Sequence, residues 1–178
     1  MTGLTRQKAA EAVASLFGTM ARQTHESRTY DPWEVIDNEG KKWRFVYDSS
    51  IHASHRIGRQ QLPISDGTYK VEMNSPKLEY SEMGKLQEVV RALRHAGAVV
   101  NGSCGMHVHV DASNHNRQSL KNLLSIMYSK EDLLFKALKT NPARVNRWCQ
   151  RVREPMLQRA RRLSNEPTTD LTQLENIW

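Results

Sequence analysis

A chain of 178 residues suits one compact domain with its own core, read here as a single domain over 1–178. With 38% hydrophobic and 25% charged residues the composition is globular, which excludes a disordered chain. The formal charge of +7 is concentrated: residues 139–163 hold Lys139, Arg144, Arg147, Arg151, Arg153, Arg159, Arg161 and Arg162 against Glu154 alone, so this segment carries the whole net charge.

No apolar run approaches the roughly 20 residues that a membrane crossing needs, so no membrane partner is expected. The first residues lack the apolar core of a signal peptide, and Cys104 and Cys149 read as reduced thiols. A cytoplasmic protein is expected. Summed like charge over 139–163 steers association with nucleic acid or an acidic protein surface, although a solvated helical face fits the same pattern.

In chain order, residues 5–17 read as a helix, with Thr5 as cap, an apolar stripe of Ala9, Ala10, Val13, Leu16 and Phe17, and Gly18 as its stop. Residues 19–32 are polar and irregular. A hairpin follows, with strands over 33–36 and 43–47 around Asp37-Asn38-Glu39-Gly40. Residues 49–67 read as a loop. The next strand, 69–74, alternates Tyr69, Val71 and Met73 against Lys70, Glu72 and Asn74.

Ser81 opens an amphipathic helix carrying Met83, Leu86, Val90 and Leu93 on one face, and Gly97 ends it. Residues 98–100 and 106–111 read as strands around a Gly-Ser-Cys-Gly turn. A long helix is expected over 117–139, with a break near Ser129, then two short helices flanking Pro155 and a last one over 171–178. Helix, hairpin, strand, helix, strand pair and further helices make an α+β fold, a small, mainly antiparallel sheet covered by helices.

His107 and His109 are the sharpest local signal. On a strand, residues i and i+2 share a face, so both imidazoles and Asp111 would project together. Two imidazoles about 7 Å apart can meet one metal or phosphate, with Glu72 supplying a carboxylate from the polar face of its own strand. The alternative is local hydrogen bonding beside the sheet. Ser75 and the Asp48-Ser49-Ser50 group read either as ligand contacts or as turn residues. Cys104 reads as a small buried thiol before a nucleophile. No Walker or Rossmann glycine loop is present, and no Ser-His-Asp arrangement follows from spacing.

Several segments resemble the amidoligase family of carboxylate–amine ligases. They are Thr5-Arg6-Gln7-Lys8-Ala9-Ala10, Asp48-Ser49-Ser50, Val71-Glu72-Met73-Asn74-Ser75-Pro76, residues 99–110 with Cys104-Gly105-Met106-His107-Val108-His109-Val110, and Arg144-Val145-Asn146-Arg147-Trp148-Cys149. The resemblance spans nearly the whole chain. It implies a partial glutamine-synthetase or glutamate–cysteine-ligase type of fold, and ATP-dependent amide formation through an acyl phosphate. Mg2+ would hold the ATP phosphates, Glu72 would be a metal ligand, His107 and His109 would face ATP or metal, and Arg144 would lie near substrate or phosphate.

The family pattern also places a Glu-x-Glu strand before the helix at Thr5, and a Glu-Phe-Arg type strand after the segment 171–178. Neither has a counterpart in these 178 residues. The expected function is therefore a catalytically incomplete amidoligase-like domain that binds a protein or nucleoprotein partner with an acidic surface. Its binding residues would be Arg144, Arg147, Arg151, Arg159 and Arg162, and a phage-borne inhibitor of a host nuclease, of the anti-CRISPR type, is a setting that fits. Nucleic acid, or a second copy pairing at an open sheet edge, are further expected partners. The alternative is an active ATP-dependent ligase completed by further segments or a partner.

Overall fold

The protein is described from a computed structural model covering residues 1–26, 29–145 and 148–163. It is α+β, and all its strand pairs are antiparallel. Its contacts cluster into two compact units, Met1–Met106 and His107–Trp178.

In the first unit, α1 (Arg6–Phe17) begins where the Thr5 hydroxyl accepts from Lys8 N at 3.3 Å. It ends at Gly18, whose φ of 66° closes the last turn as a side chain would resist. Four strands follow the order β1 (Ala21–Gln23), β2 (Trp33–Ile36), β3 (Lys42–Tyr47), β6 (Val71–Asn74). The registers Val35↔Trp43 and Phe45↔Met73 put Val35, Trp43, Phe45 and Val71 on one face. There they pack with Ala9, Ala10 and Val13 of α1 and with Val89 and Leu93 of α2 (Met83–His95) in one buried cluster. The Phe17 and Trp43 ring centres are 5.8 Å apart.

Beyond β6 the ladder continues. Met1 and Val71 exchange both backbone hydrogen bonds, at 2.7 and 3.1 Å, and Thr2 and Val99 exchange theirs at 2.9 and 2.8 Å. Residues 1–2 thus lie in the sheet between β6 and Val99. The strand expected over 98–100 contracts to that single bridge.

Three further expectations over this unit change. β1 falls within the segment read as irregular; it is a three-residue edge strand, too short to show a period. The loop expected over 49–67 contains a hairpin, β4 (Ser54–Ile57) with β5 (Gln60–Pro63), around Gly58 at φ 59°. Its strands are largely exposed, so no apolar alternation announces them. A capping box between Glu79 and Glu82 nucleates a 3-10 turn (Tyr80–Glu82) first, and α2 starts after it rather than at Ser81.

In the second unit, Asn116 caps α3 (Arg117–Ala137). The helix runs unbroken past Ser129, whose hydroxyl donates back to Ile126 O at 2.9 Å instead of opening a new cap. α4 (Pro142–Val145) follows, and α5 (Glu154–Arg162) takes Pro155 into its first turn, where a missing N–H costs nothing. The helices expected on either side of Pro155 therefore give way to one that contains it. Leu124, Leu157 and Ala160 form a small core with Val152 and Met156. Lys121 Nζ reaches Leu163 O at 2.9 Å, and the Tyr128 hydroxyl bonds the Glu154 carboxylate. That contact holds Glu154 below the usual carboxylate range and pushes the Tyr128 phenol up. The last expected helix, 171–178, lies outside the described residues.

Candidate functional site

The alternation that buries Val35, Trp43, Phe45 and Val71 turns the intervening residues to the other face. One row there reads Arg22, Glu34, Arg44, Asn74, and the next pairs Val46 with Glu72. Glu72 is exposed at its strand position. Glu34 behaves differently: its side chain is only 6% exposed, with Lys42 Nζ at 3.2 Å and Arg44 Nε at 3.0 Å. The Arg44 Nε–H does not aim at the Glu34 oxygen, so this contact is an ion pair without a hydrogen bond. A second oxygen, from Glu26, lies 2.6 Å from Arg44 Nη2. Glu34 is thus neutralised by two cations, while Glu72 is the carboxylate this face presents to solvent.

Near one end of the sheet, Arg6 is buried and gathers several elements. Its guanidinium pairs with Asp31, donates to Gly67 O at 2.8 Å and lies 5.7 Å from the Tyr47 ring centre. The Arg6 hydrogen bond is the largest of the effects that hold the Asp31 carboxyl below its usual range. Arg6 stands one turn before Ala9 and Ala10, so helical periodicity places it on the buried stripe of α1, although its charge hides this in the sequence.

No strand forms over residues 106–111, which corrects the expectation for His107 and His109. Met106, Val108 and Val110 are each more than three-quarters exposed, so the alternating pattern there is not the imprint of a buried sheet face. The shared-face argument for the two imidazoles lapses with the strand. Glu72 belongs to the first unit and both histidines to the second. Among the described residues, no group of three or more His, Cys, Asp or Glu side chains stands where it could hold a metal ion.

The turn alternatives are realised at two places. Asp48 Oδ1 accepts from Ser50 N and Oγ at 2.8 and 2.7 Å, closing the end of β3, and Ser75 Oγ donates to Pro76 O. Cys104 is half-buried, its sulfur 3.7 Å from Asn101 Oδ1.

Of the arginines expected to bind a partner, Arg144 lies in α4, while Arg151 lies beyond it in non-helical chain and pairs with Asp132 at 2.7 Å. Arg147 lies outside the described residues. Arg159 and Arg162 do share α5, both exposed, one helical turn apart.

With this geometry in hand, the comparison with known families is decisive for ancestry. The family model described as "Putative amidoligase enzyme" matches residues 1–178, the whole chain. The chain belongs to the amidoligase family. No curated protein and no solved structure matches it significantly. Hard cations take oxygen ligands; Glu72 is an exposed carboxylate on β6, and among the described residues no further carboxylates gather with it. Among the described residues, no helix is long and apolar enough to cross a membrane.

Proposed function

We propose that this chain carries part of the site of an ATP-dependent carboxylate–amine ligase, with Glu72 on the polar sheet face as a metal-facing carboxylate. The observation that supports it is Glu72 itself. In a chain of this family, β6 is locked in register to β3, its apolar residues face the core, and Glu72 projects from the opposite face. The metal would supply charge neutralisation for the phosphates. The chain's own contribution is to hold the carboxylate on a strand whose neighbours cannot shift without breaking the core. The test is calorimetric titration of the purified chain with ATP, with and without Mg2+. Mg2+-dependent binding should weaken about tenfold in Glu72→Gln, the loss of one charge-assisted contact. Equal binding by Glu72→Gln and the unsubstituted chain would sink the assignment.

A second reading rests on α5. Leu157 and Ala160 turn inward, while Arg153, Arg159, Arg161 and Arg162 stand exposed on or beside the helix. Such a surface fits an acidic protein or nucleoprotein partner. Its narrower form, inhibition of a host nuclease, requires cleavage by that nuclease to fall when the chain is added. Replacing Arg159 and Arg162 by Gln should abolish that inhibition and flatten the salt dependence of binding to duplex DNA. Salt-independent binding would dismiss the second reading.

A further inference from the structure

The second unit carries an open surface pocket of about 600 Å³ where the end of α3 meets α4 and Arg151. That volume lies within the range of roughly 300–1,000 Å³ typical of small-molecule sites. Its lining divides by chemistry. Phe135, Pro142 and Val145 supply apolar surface; Lys136, Lys139 and Arg151 supply cations, with Asp132 as the carboxylate among them.

Two features go beyond surface charge. Arg151 is positioned: its guanidinium lies 4.8 Å from the Phe135 ring centre and pairs with Asp132 at 2.7 Å, with Glu131 more distant at 4.0 Å. A guanidinium has five N–H donors, so one held by a single close carboxylate still offers donors to a ligand. Lys139, in turn, occupies the left-handed region at φ 50°, one residue past the Leu138 cap of α3, where glycine would sit without strain. The helix end needs no lysine there. Among the described residues, neither Lys136 nor Lys139 has a carboxylate within ion-pair distance.

We infer that this pocket binds a small dianion, a diphosphate or a dicarboxylate, carried on an apolar or flat body. Lys136, Lys139 and the free edge of Arg151 take the charge, and the body lies along Phe135, Pro142 and Val145. The inference does not rest on the ligase reading, which is metal-dependent and uses Glu72.

The experiment is calorimetry on the full chain at low ionic strength with a chelator present, so that no metal-bridged contact contributes. Inorganic pyrophosphate and succinate are the two probes. Binding of pyrophosphate alone assigns phosphate as the natural anion, binding of succinate alone assigns carboxylate, and binding of both supports the shared anion chemistry. Lys139→Gly should weaken binding about tenfold, the scale of one charge-assisted hydrogen bond. It should leave the melting temperature unchanged or raised, because glycine relieves the left-handed backbone. Lys136→Gln, at an exposed helical position, should weaken binding similarly. Failure of the unsubstituted chain to bind either anion, or undiminished binding by both variants, overturns the inference.

Discussion

The Asp37 side chain ties several parts of the first unit together. Its carboxylate accepts from Lys41 N at 2.8 Å, Glu39 N at 3.0 Å and the Trp43 indole N–H at 3.2 Å, with Lys85 Nζ at 3.4 Å. It therefore shapes the β2–β3 turn, satisfies a buried indole and ties the hairpin to α2. In Asp37→Ala the Trp43 N–H is orphaned in a site with no solvent access, costing about 1–3 kcal/mol. The two turn amides are nearer to water and lose only net hydrogen-bond energy, about 0.5–1.5 kcal/mol each. A total of about 2–6 kcal/mol follows, or a fall of at least about 8 °C in the melting temperature of a unit this size. Asp37→Asn keeps an acceptor oxygen and should cost less than half of that.

The pH dependence has a definite sign. Burial raises the Asp37 carboxyl's pKa, but the bonds from Lys41 N, Trp43 and Glu39 N and the charge of Lys85 outweigh it, so the net shift is downward. A depressed carboxyl contributes stability that is present above its unfolded value of about 3.9 and is lost as pH falls through the folded value. Urea unfolding followed by tryptophan fluorescence should thus show the gap between Asp37→Ala and the parent shrinking below about pH 4. A gap under about 1 kcal/mol at pH 7, or one that does not change with acid, would refute this account of the turn.

Two further substitutions probe the packing. At Gly3, φ is 89° and an added Cβ would lie 2.5 Å from Gly97 O and 2.8 Å from Val99 Cγ2. Gly3→Ala should therefore cost at least about 2 kcal/mol in thermal unfolding and disrupt the Thr2–Val99 pairing, read as lost amide protection at Val99. Leu157→Ala, in a core of only a few side chains, should cost about 2–5 kcal/mol. It should release amide protection across α3 and α5 while leaving α1 and the four-stranded sheet protected.

How far the fold was legible follows from the range of its interactions. α1 could be read because Thr5, the apolar stripe and Gly18 all act within one helix, and helical hydrogen bonds close four residues away. The β2–β3 hairpin could be read because a short turn sets the register, and that register also places Glu34 opposite Arg44. The burial of Glu34 could not be read, since an alternating charged residue normally marks the wet face.

The site was less legible for the same reason. His107 and His109 sit in a run of alternating residues, but a strand exists only where another chain segment completes its ladder, and none among the described residues does so over 106–111. Arg144 and Arg151 keep helical spacing, yet Arg151 lies in non-helical chain, against Asp132 and Phe135. What the amino-acid order determined by itself was family, α+β class, the capped helix α1 and the polar side of β6 with Glu72. Tertiary structure alone decided which extended segments pair, which charges are buried and which arginines meet, because those depend on partners distant in sequence whose approach no local period encodes.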